Sequence, residues 1–365
     1  MFWLILFAVL LIIAVSGTVY LFTRFHHFSF IEKLGEKHKL LSWLVCLLPF
    51  AGLACLLLIN SYTMIVVIIH LIIFWLIADI IAAIVRKAAK KQRRRNIEGV
   101  AAILFTAVYL AIGWYNAHNV VRTEYTLHTD KAIGAEHLKV AAIADSHLGI
   151  TLDGEAFAAE MERIKKESPD IFIIAGDFVD DDSCRTDMVR ACEAIGSIAP
   201  KYGTYFTFGN HDRGYFEGHR DFTADDLRSE LKKNGVTVLE DKAVQITDEL
   251  CIIGRHDKSS KERLSMSILA KRAAKDSYTI VIDHQPNDYK NEADAGADLV
   301  FSGHTHGGHL WPSGYVGLLI GANDKVYGFE KRGNSDFIVT SGISGWAIPF
   351  KTGTVSEYVI INITE

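Results

Sequence analysis

Long apolar stretches dominate the first third of the chain. Residues 1–23 carry no charged side chain, and residues 40–78 form a second uncharged stretch, which is too long for one span. A polar triplet at 60–62 interrupts this second stretch. A helix of about 20 apolar residues crosses the hydrocarbon core of a bilayer. The pattern therefore predicts four membrane-spanning helices, at 1–23, about 41–59, 63–85 and 100–117.

The remainder of the chain alternates short apolar runs with amphipathic stretches. The runs predict strands at 138–144, 171–175, 202–208, 250–254, 278–283, 298–302, 336–340 and 356–363, and the amphipathic stretches predict helices at 154–166, 185–196 and 261–274. This alternation is typical of an α/β fold, which collects ligands beyond the carboxyl ends of its strands. Because the segment 118–137 is short and polar, we predict a membrane anchor over 1–119 and a catalytic domain over 120–365.

The charge differs between these two parts. Residues 1–119 have a net charge of +7, and residues 120–365 have a net charge of −12. An acidic domain lacks the basic surface that nucleic-acid phosphates require, so no nucleic-acid partner is expected. The basic residues of the anchor follow the first and third predicted helices: Arg24, Lys33, Lys37 and Lys39, and then Arg86, Lys87, Lys90, Lys91, Arg93, Arg94 and Arg95. Positively charged loops stay in the cytoplasm, which predicts an extracytoplasmic catalytic domain.

Two polar residues, His70 and Asp79, lie within the third predicted span. Ionisable groups inside a membrane are costly and often belong to an ion or proton site. Asp79, however, lies close to the cytoplasmic end and seven residues before Arg86 on roughly the same helix face, so we expect local pairing or snorkelling rather than a transport site.

Side chains that bind metals follow five of the predicted strands. They occur as Asp145-Ser146-His147, Gly176-Asp177, Gly209-Asn210-His211-Asp212, Asp283-His284 and Gly303-His304-Thr305-His306. Taken singly, a strand-end Asp is typical of a turn. Together, the five blocks supply carboxylate, amide and imidazole groups that stability does not require. Two divalent ions about 3.5–4 Å apart could clamp a phosphoryl group at such a site.

In this order, the five blocks resemble the pattern D-x-H, G-D, G-N-H-[DE], H and G-H-x-H of the calcineurin-like metallophosphoesterases. The resemblance spans about 138–365. The segments 302–309, Tyr327-Gly328 and Ser341-Gly342 are similar to the membrane-anchored bacterial branch. The resemblance implies an αββα sandwich preceded by four transmembrane helices, in a multi-pass protein of a bacterial cell membrane.

The resemblance also implies a role for each site residue. One ion would be held by Asp145, His147 and His306, the second by Asn210, His284 and His304, with Asp177 bridging the two. His211 would face the substrate, and Asp212 would orient His211. A hydroxide between the ions would attack phosphorus. The mixed ligands suit Mn, Fe or Zn, and the choice among these stays open.

The substrate is less defined than the chemistry. Apolar residues follow the last block from Trp311 to Ile320, and a second cluster covers 346–350, next to Lys351, which could contact phosphate. His309 could touch the substrate or pack at the rim. We predict a phosphodiesterase acting on an envelope substrate, lipid-linked or soluble. The alternatives are a pyrophosphatase of a nucleotide-sugar or lipid intermediate, and a metal-binding membrane sensor or scaffold without turnover.

Overall fold

The structure is a computed structural model that describes residues 2–90, 96–216 and 218–365, with side chains from residue 12 onward. The chain divides into two compact units, residues 1–112 and 113–365. Four basic residues of the second predicted cytoplasmic loop, Lys91 and 93–95, lie outside the described residues.

The first unit is helical. Its helices are α1 (Phe2–His26), α2 (Ser29–Lys37), α3 (Lys39–Val45), α4 (Leu48–Ala54), α5 (Ser61–Ala89) and α6 (Ile97–His118), whose last turns belong to the second unit. Within the described residues, three segments are long and apolar enough to cross a membrane: Lys39–Leu58, Ser61–Ala89 and Ile97–His118. Because the side chains of 2–11 are outside the description, α1 as a fourth span stays a prediction.

Several details of the first unit differ from the expectation. The stretch predicted as one helix over 41–59 is α3, α4 and a short 3-10 turn, Cys55–Leu58; the break precedes Pro49, which lacks a backbone N–H. The amphipathic α2 was not predicted. The predicted turn at 60–62 is confirmed, since the side chain of Asn60 accepts the N–H of Thr63 (2.7 Å) and caps α5.

The polar residues within the spans also pair differently from the prediction. Asp79 forms an ion pair with Arg24 and accepts the hydroxyl of Tyr20, both at 2.7 Å, whereas Arg86 pairs with Glu98 at 2.9 Å. The predicted local pairing of Asp79 with Arg86 is therefore wrong, because α1 supplies a nearer cation. His70 is buried and bonds the carbonyl of Val66 on its own helix (2.8 Å).

The second unit contains two six-stranded mixed sheets within the described residues. The strands are β1 (Val121–His128), β2 (His137–Ile143), β3 (Ile171–Ala175), β4 (Thr204–Thr207), β5 (Val236–Val238), β6 (Lys242–Gln245), β7 (Leu250–Gly254), β8 (Tyr278–Ile282), β9 (Leu299–Ser302), β10 (Gly328–Arg332), β11 (Ser335–Val339) and β12 (Glu357–Thr364). The first sheet has the order β1-β12-β2-β3-β4-β5, and the second has the order β10-β11-β9-β8-β7-β6.

Helices cover the outer faces of the sheets. They are α7 (Gly154–Lys166), α8 (Arg185–Ile198), α9 (Ala224–Lys233), α10 (Met266–Leu269) and α11 (Tyr289–Asp294), whereas α12 (Ser313–Leu319) has no buried residue. Alternate residues of each strand face opposite sides. Val140 and Ile173 of the first sheet therefore share one buried cluster with Ile252 and Ile280 of the second. Their neighbours along the strands belong to clusters under α7–α9 or under α10 and α11. The predicted α/β fold is confirmed.

The sequence pattern missed some elements of this unit. The predicted helix at 261–274 is only α10 followed by the 3-10 turn Ala270–Arg272. Strand β1 lies in the segment predicted to be a polar boundary, and it pairs in parallel with β12 at an edge of the first sheet. Its outward positions are polar, so it lacks the continuous apolar run of a central strand.

Candidate metal centre

The carboxyl ends of five strands meet at one edge of the sandwich. Strands β2, β3 and β4 are parallel neighbours in the first sheet, and β8 and β9 are parallel neighbours in the second. Backbone hydrogen bonds tie the loops together: Asp145 N–H donates to the carbonyl of Gly176 (3.0 Å), His147 N–H to that of Asp177 (3.1 Å) and Gly303 N–H to that of His284 (3.0 Å). All five predicted blocks therefore lie in adjacent loops.

The first group of ligands consists of Asp145, His147 and His306, which are buried. Their ligand atoms lie within 4.8 Å of one another. The Nε2 atoms of His147 and His306 face each other at 3.2 Å. Two imidazole nitrogens at this distance need either a proton or a cation between them, so the geometry fits a metal ion.

The second group consists of Asp177, His284 and His304. The Nε2 atom of His284 is 3.1 Å from Asp177 Oδ2 and 3.1 Å from the amide oxygen of Asn210. The same Asp177 oxygen is 3.7 Å from Nε2 of His147 in the first group. Asp177 thus lies between the two groups, where a bridging carboxylate would be.

Hydrogen bonds at the second ring nitrogen orient two of the histidines. The Nδ1 atom of His284 donates to the carbonyl of Ala175 (2.7 Å), and Nδ1 of His147 lies 2.9 Å from Oδ2 of Asp180. Histidines that bind metals usually engage their second nitrogen in this way, which fixes the tautomer and leaves Nε2 free to coordinate.

Burial adjusts the protonation of the ligands. Burial raises the pKa of Asp145 to about 6, so a nearby cation would be needed to keep this carboxylate fully ionised. Burial, together with His284, lowers the pKa of His304 to about 4. Burial and His147 hold the pKa of His306 well below its usual value. These two imidazoles are therefore neutral near pH 7 and have a lone pair for a metal.

The backbone is strained where these ligands lie. Five of the seven predicted ligands have a positive φ: Asp145 (55°), His147 (34°), Asp177 (50°), His304 (70°) and His306 (49°). Each non-glycine residue in this region costs about 1–3 kcal/mol, and such residues concentrate at functional sites. Close approach also requires glycine at 176, because a Cβ there would overlap the backbone of Gly209.

His211 lies at the mouth of the site, where its side chain is 14% exposed. Its Nδ1 is 3.2 Å from Oδ1 of Asp180, the carboxylate that also contacts His147. Burial lowers the pKa of His211, but the hydrogen bond with Asp180 and the charge of Asp177 outweigh this effect and raise it. Asp180 thus connects a ligand of the first group to the residue predicted to face the substrate.

The predicted role of Asp212 in orienting His211 is wrong. Asp212 is buried, and its carboxylate accepts the backbone N–H groups of Asp177 (2.9 Å), Phe178 (2.8 Å), Val179 (3.1 Å) and Gly209 (2.7 Å). It therefore holds two ligand loops together, and Asp180 orients the imidazole. Sequence reasoning missed Asp180 because it begins a run of three aspartates, which resembles an ordinary solvated turn.

A buried ion-pair network fixes the loop that carries His284. Asp283 accepts from Arg255 (3.1 Å) and from Arg263 (2.9 Å to Oδ1), and Arg255 also pairs with Glu292 (2.9 Å). Asp283, Arg255 and Glu292 are almost completely buried. The two arginines come from the segment after β7, so this support for a ligand depends on contacts that are distant in sequence.

Lys351 behaves differently from the expectation, and His309 packs beside the first group of ligands. Lys351 is completely buried, and its ammonium donates to the carbonyls of Ser341 (2.6 Å) and Gly342 (3.1 Å), so it does not reach a phosphate at the mouth. Its burial lowers its pKa to about 7. The ring of His309 lies 5.3 Å from that of His306, and Nε2 of His309 is buried without a hydrogen-bond partner.

Sequence comparisons show which family of known proteins this chain resembles. Residues 138–308 match the sequence pattern of the calcineurin-like phosphoesterases. The chain is 30% identical over 272 residues to an uncharacterized metallophosphoesterase of Aquifex aeolicus, covering 71% of this chain and 98% of that protein.

More distant similarities extend to eukaryotes. A transmembrane protein with metallophosphoesterase domain of Danio rerio is 25% identical over 291 residues, covering 73% of this chain and 63% of that protein. Among solved structures, a dimetal phosphatase from Danio rerio superposes with a TM-score of 0.37 at 8% identity, covering 57% of this chain and 87% of that chain.

Proposed function

Since the chain belongs to the calcineurin-like phosphoesterase family, whose members are metal-dependent hydrolases of phosphoric esters, we propose that it is a membrane-anchored phosphodiesterase with two divalent metal ions. The observation that carries this proposal is the position of Asp177. Its carboxylate lies between Nε2 of His147 and Nε2 of His284, at 3.7 and 3.1 Å. It thereby joins two groups of ligands into one dinuclear site, and Mn, Fe or Zn suits their mixed donors.

Different residues of the chain would have different roles in hydrolysis. Asp145, His147 and His306 would hold one ion, Asn210, His284 and His304 the other, and Asp177 would contact both. When bound, the ions would supply Lewis-acid stabilisation of the phosphoryl oxygens and a water of lowered pKa. His211 lies between Tyr215 and Trp346, whose ring centroids are 4.9 and 5.6 Å away. With Nδ1 held by Asp180, His211 keeps Nε2 for donating a proton to the leaving oxygen.

The residues at the mouth favour a diester over a monoester. Tyr215 and Trp346 flank His211 and carry no charge, and the ammonium of Lys351 is turned inward. A phosphomonoester has close to two negative charges at neutral pH, since its second pKa is about 6, whereas a diester has one. Because a mouth with uncharged flanks compensates the second charge poorly, the diester is the better substrate.

The full-length protein in detergent tests this proposal after its metals are stripped. We expect hydrolysis of an aryl phosphodiester to disappear with the metals and to return on adding Mn, at about tenfold or more the rate for the matching aryl monoester, since one uncompensated charge costs on the order of 1–2 kcal/mol. A faster monoester reaction would overturn the diester assignment. Bound metal without turnover of either ester would overturn the catalytic proposal.

We propose further that the catalytic unit lies outside the cytoplasm, with α1 as a fourth span. The support is the position of the basic side chains after the first and third spans, together with the 25-residue length of α1. Alkaline phosphatase fused after residue 365 is expected to be active in a bacterial host. A green fluorescent protein fused at the same position is expected to show no fluorescence. The opposite pair of results would place the site in the cytoplasm and contradict this topology.

A further inference from the structure

A strongly apolar surface segment follows the last metal-binding block. Residues 310–322, which we name the apolar segment, contain no charged side chain although the domain is acidic overall. The segment includes α12, and the side chains of Trp311, Tyr315 and Val316 are exposed. Leu319 and Ile320 are the most exposed, at 85% and 73%. A contiguous exposed apolar surface of this kind marks an interaction site.

Hydrogen bonds within the second unit join the apolar segment to the end of α6. The N–H of Trp311 donates to the hydroxyl of Thr352 (3.1 Å). The adjacent Lys351 donates its N–H to the carbonyl of Gly113 (2.8 Å) and accepts the side-chain amide of Asn116 at its own carbonyl (3.2 Å). Two adjacent residues, Lys351 and Thr352, therefore connect the segment to the last turns of α6 through hydrogen bonds.

The end of α6 relates the apolar segment to the membrane. Helix α6 is long and apolar enough to cross a bilayer, and in a bilayer that it spans its carboxyl end would lie where the hydrocarbon stops. Trp114 and Tyr115, both exposed, lie in these last turns, and Trp and Tyr concentrate at the interface between membrane and water. Through Thr352, Trp311 is held beside the same turns. With α6 across a bilayer, the apolar segment would begin at the depth of a lipid headgroup.

The apolar segment also borders the metal centre. Gly307 and Gly308 directly follow the ligand His306, and they form one end of a cleft of about 370 Å³. Trp311, Tyr315 and Leu318 form an apolar side of this cleft, and the charged side chains of Asp324, Lys325 and Glu330 also line it. A cleft with an apolar side next to a ligand loop can hold the hydrocarbon part of a substrate while the phosphate faces the metals.

From these contacts we propose that the apolar segment lies in the interfacial layer of the membrane that anchors the chain. In this arrangement the substrate is the phosphodiester headgroup of a membrane lipid, and its hydrocarbon chain lies along the cleft. This inference rests on the proposed phosphodiesterase function and adds the class of substrate. The aromatic and aliphatic side chains of the segment contact the substrate lipid in place of its neighbouring lipids. The phosphate of the lipid therefore reaches the metal site while its hydrocarbon chain stays in the bilayer.

The test compares two esters with full-length protein reconstituted in phosphatidylcholine vesicles. One is bis(p-nitrophenyl) phosphate in solution, and the other is a diacylglycerol phosphodiester of p-nitrophenol embedded in the vesicle. For the double variant Leu319→Ser, Ile320→Ser, we expect the ratio of the lipid-ester rate to the soluble-ester rate to fall at least about tenfold. Ile268→Ser, which removes an exposed apolar side chain from α10, is the matched control and should leave the ratio unchanged.

The outcomes separate this inference from the proposed function. An unchanged ratio in the double variant, or an equal loss of both rates, overturns the membrane contact. Wild-type protein that cleaves the soluble ester but not the lipid ester overturns the substrate class and leaves the phosphodiesterase standing. Wild-type protein that cleaves neither ester overturns the phosphodiesterase proposal and this inference with it.

Discussion

Replacing Asp177 with Asn is expected to lower the turnover of an aryl phosphodiester by at least about a thousandfold. The substitution keeps the shape of the side chain, and its amide oxygen can still accept the N–H of His211 (2.8 Å). It removes the charged Oδ2 that faces His284 and His147. Metal ions contribute several kcal/mol of transition-state stabilisation. About 4 kcal/mol corresponds to a thousandfold in rate. Steady-state hydrolysis of the ester, with metal content measured by mass spectrometry, checks this expectation.

Asp182→Asn is the matched control for Asp177→Asn. Asp182 lies in the same loop, five residues later, but its side chain is 68% exposed. Its substitution should change neither turnover nor metal content. If Asp177→Asn retains two metal equivalents and more than a tenth of the wild-type rate, the bridging role of Asp177 is wrong.

Replacing His211 with Gln is expected to lower the rate in a manner that depends on the leaving group. A positioned general acid contributes about 10²–10⁴-fold when the leaving oxygen needs a proton. An alkyl alcohol needs one, whereas p-nitrophenolate leaves readily without it. We therefore expect a loss of about a hundredfold or more for an alkyl phosphodiester, and a much smaller loss for a p-nitrophenyl diester. A series of diesters with leaving groups of graded pKa measures the difference as a steeper slope of log rate.

His219→Gln and Asp180→Asn complete the experiment on His211. His219 lies in the same loop, its side chain is 57% exposed and its Nε2 is 3.7 Å from Asp182, so its substitution should leave the slope unchanged. Asp180→Asn should steepen the slope partly, because it weakens the hydrogen bond at Nδ1 of His211. An equal loss for all leaving groups in His211→Gln would assign His211 to binding or charge stabilisation and exclude it as the proton donor.

The central strands of the two sheets were the most predictable part of the fold. Strands β3, β7 and β8 are buried throughout, so their apolar runs appear in the sequence almost without interruption. Edge strands such as β1 and β10 alternate exposed and partly buried residues, and they lack such a run. The strand conformation of β1 depends on pairing with β12, which is distant in the sequence, and that of β10 depends on pairing with β11 across a turn.

The sequence by itself determined the order of apolar runs and the chemical groups at their ends, since both depend on local periodicity and residue type. It therefore predicted the α/β sandwich, the apolar anchor and the seven candidate ligands. Only the tertiary structure decided which carboxylate contacts which imidazole or guanidinium group. Asp180 rather than Asp212 meets His211, Arg24 rather than Arg86 meets Asp79, and Lys351 points inward. Such pairings depend on distances between loops and helices that are remote in the chain, and packing alone sets those distances.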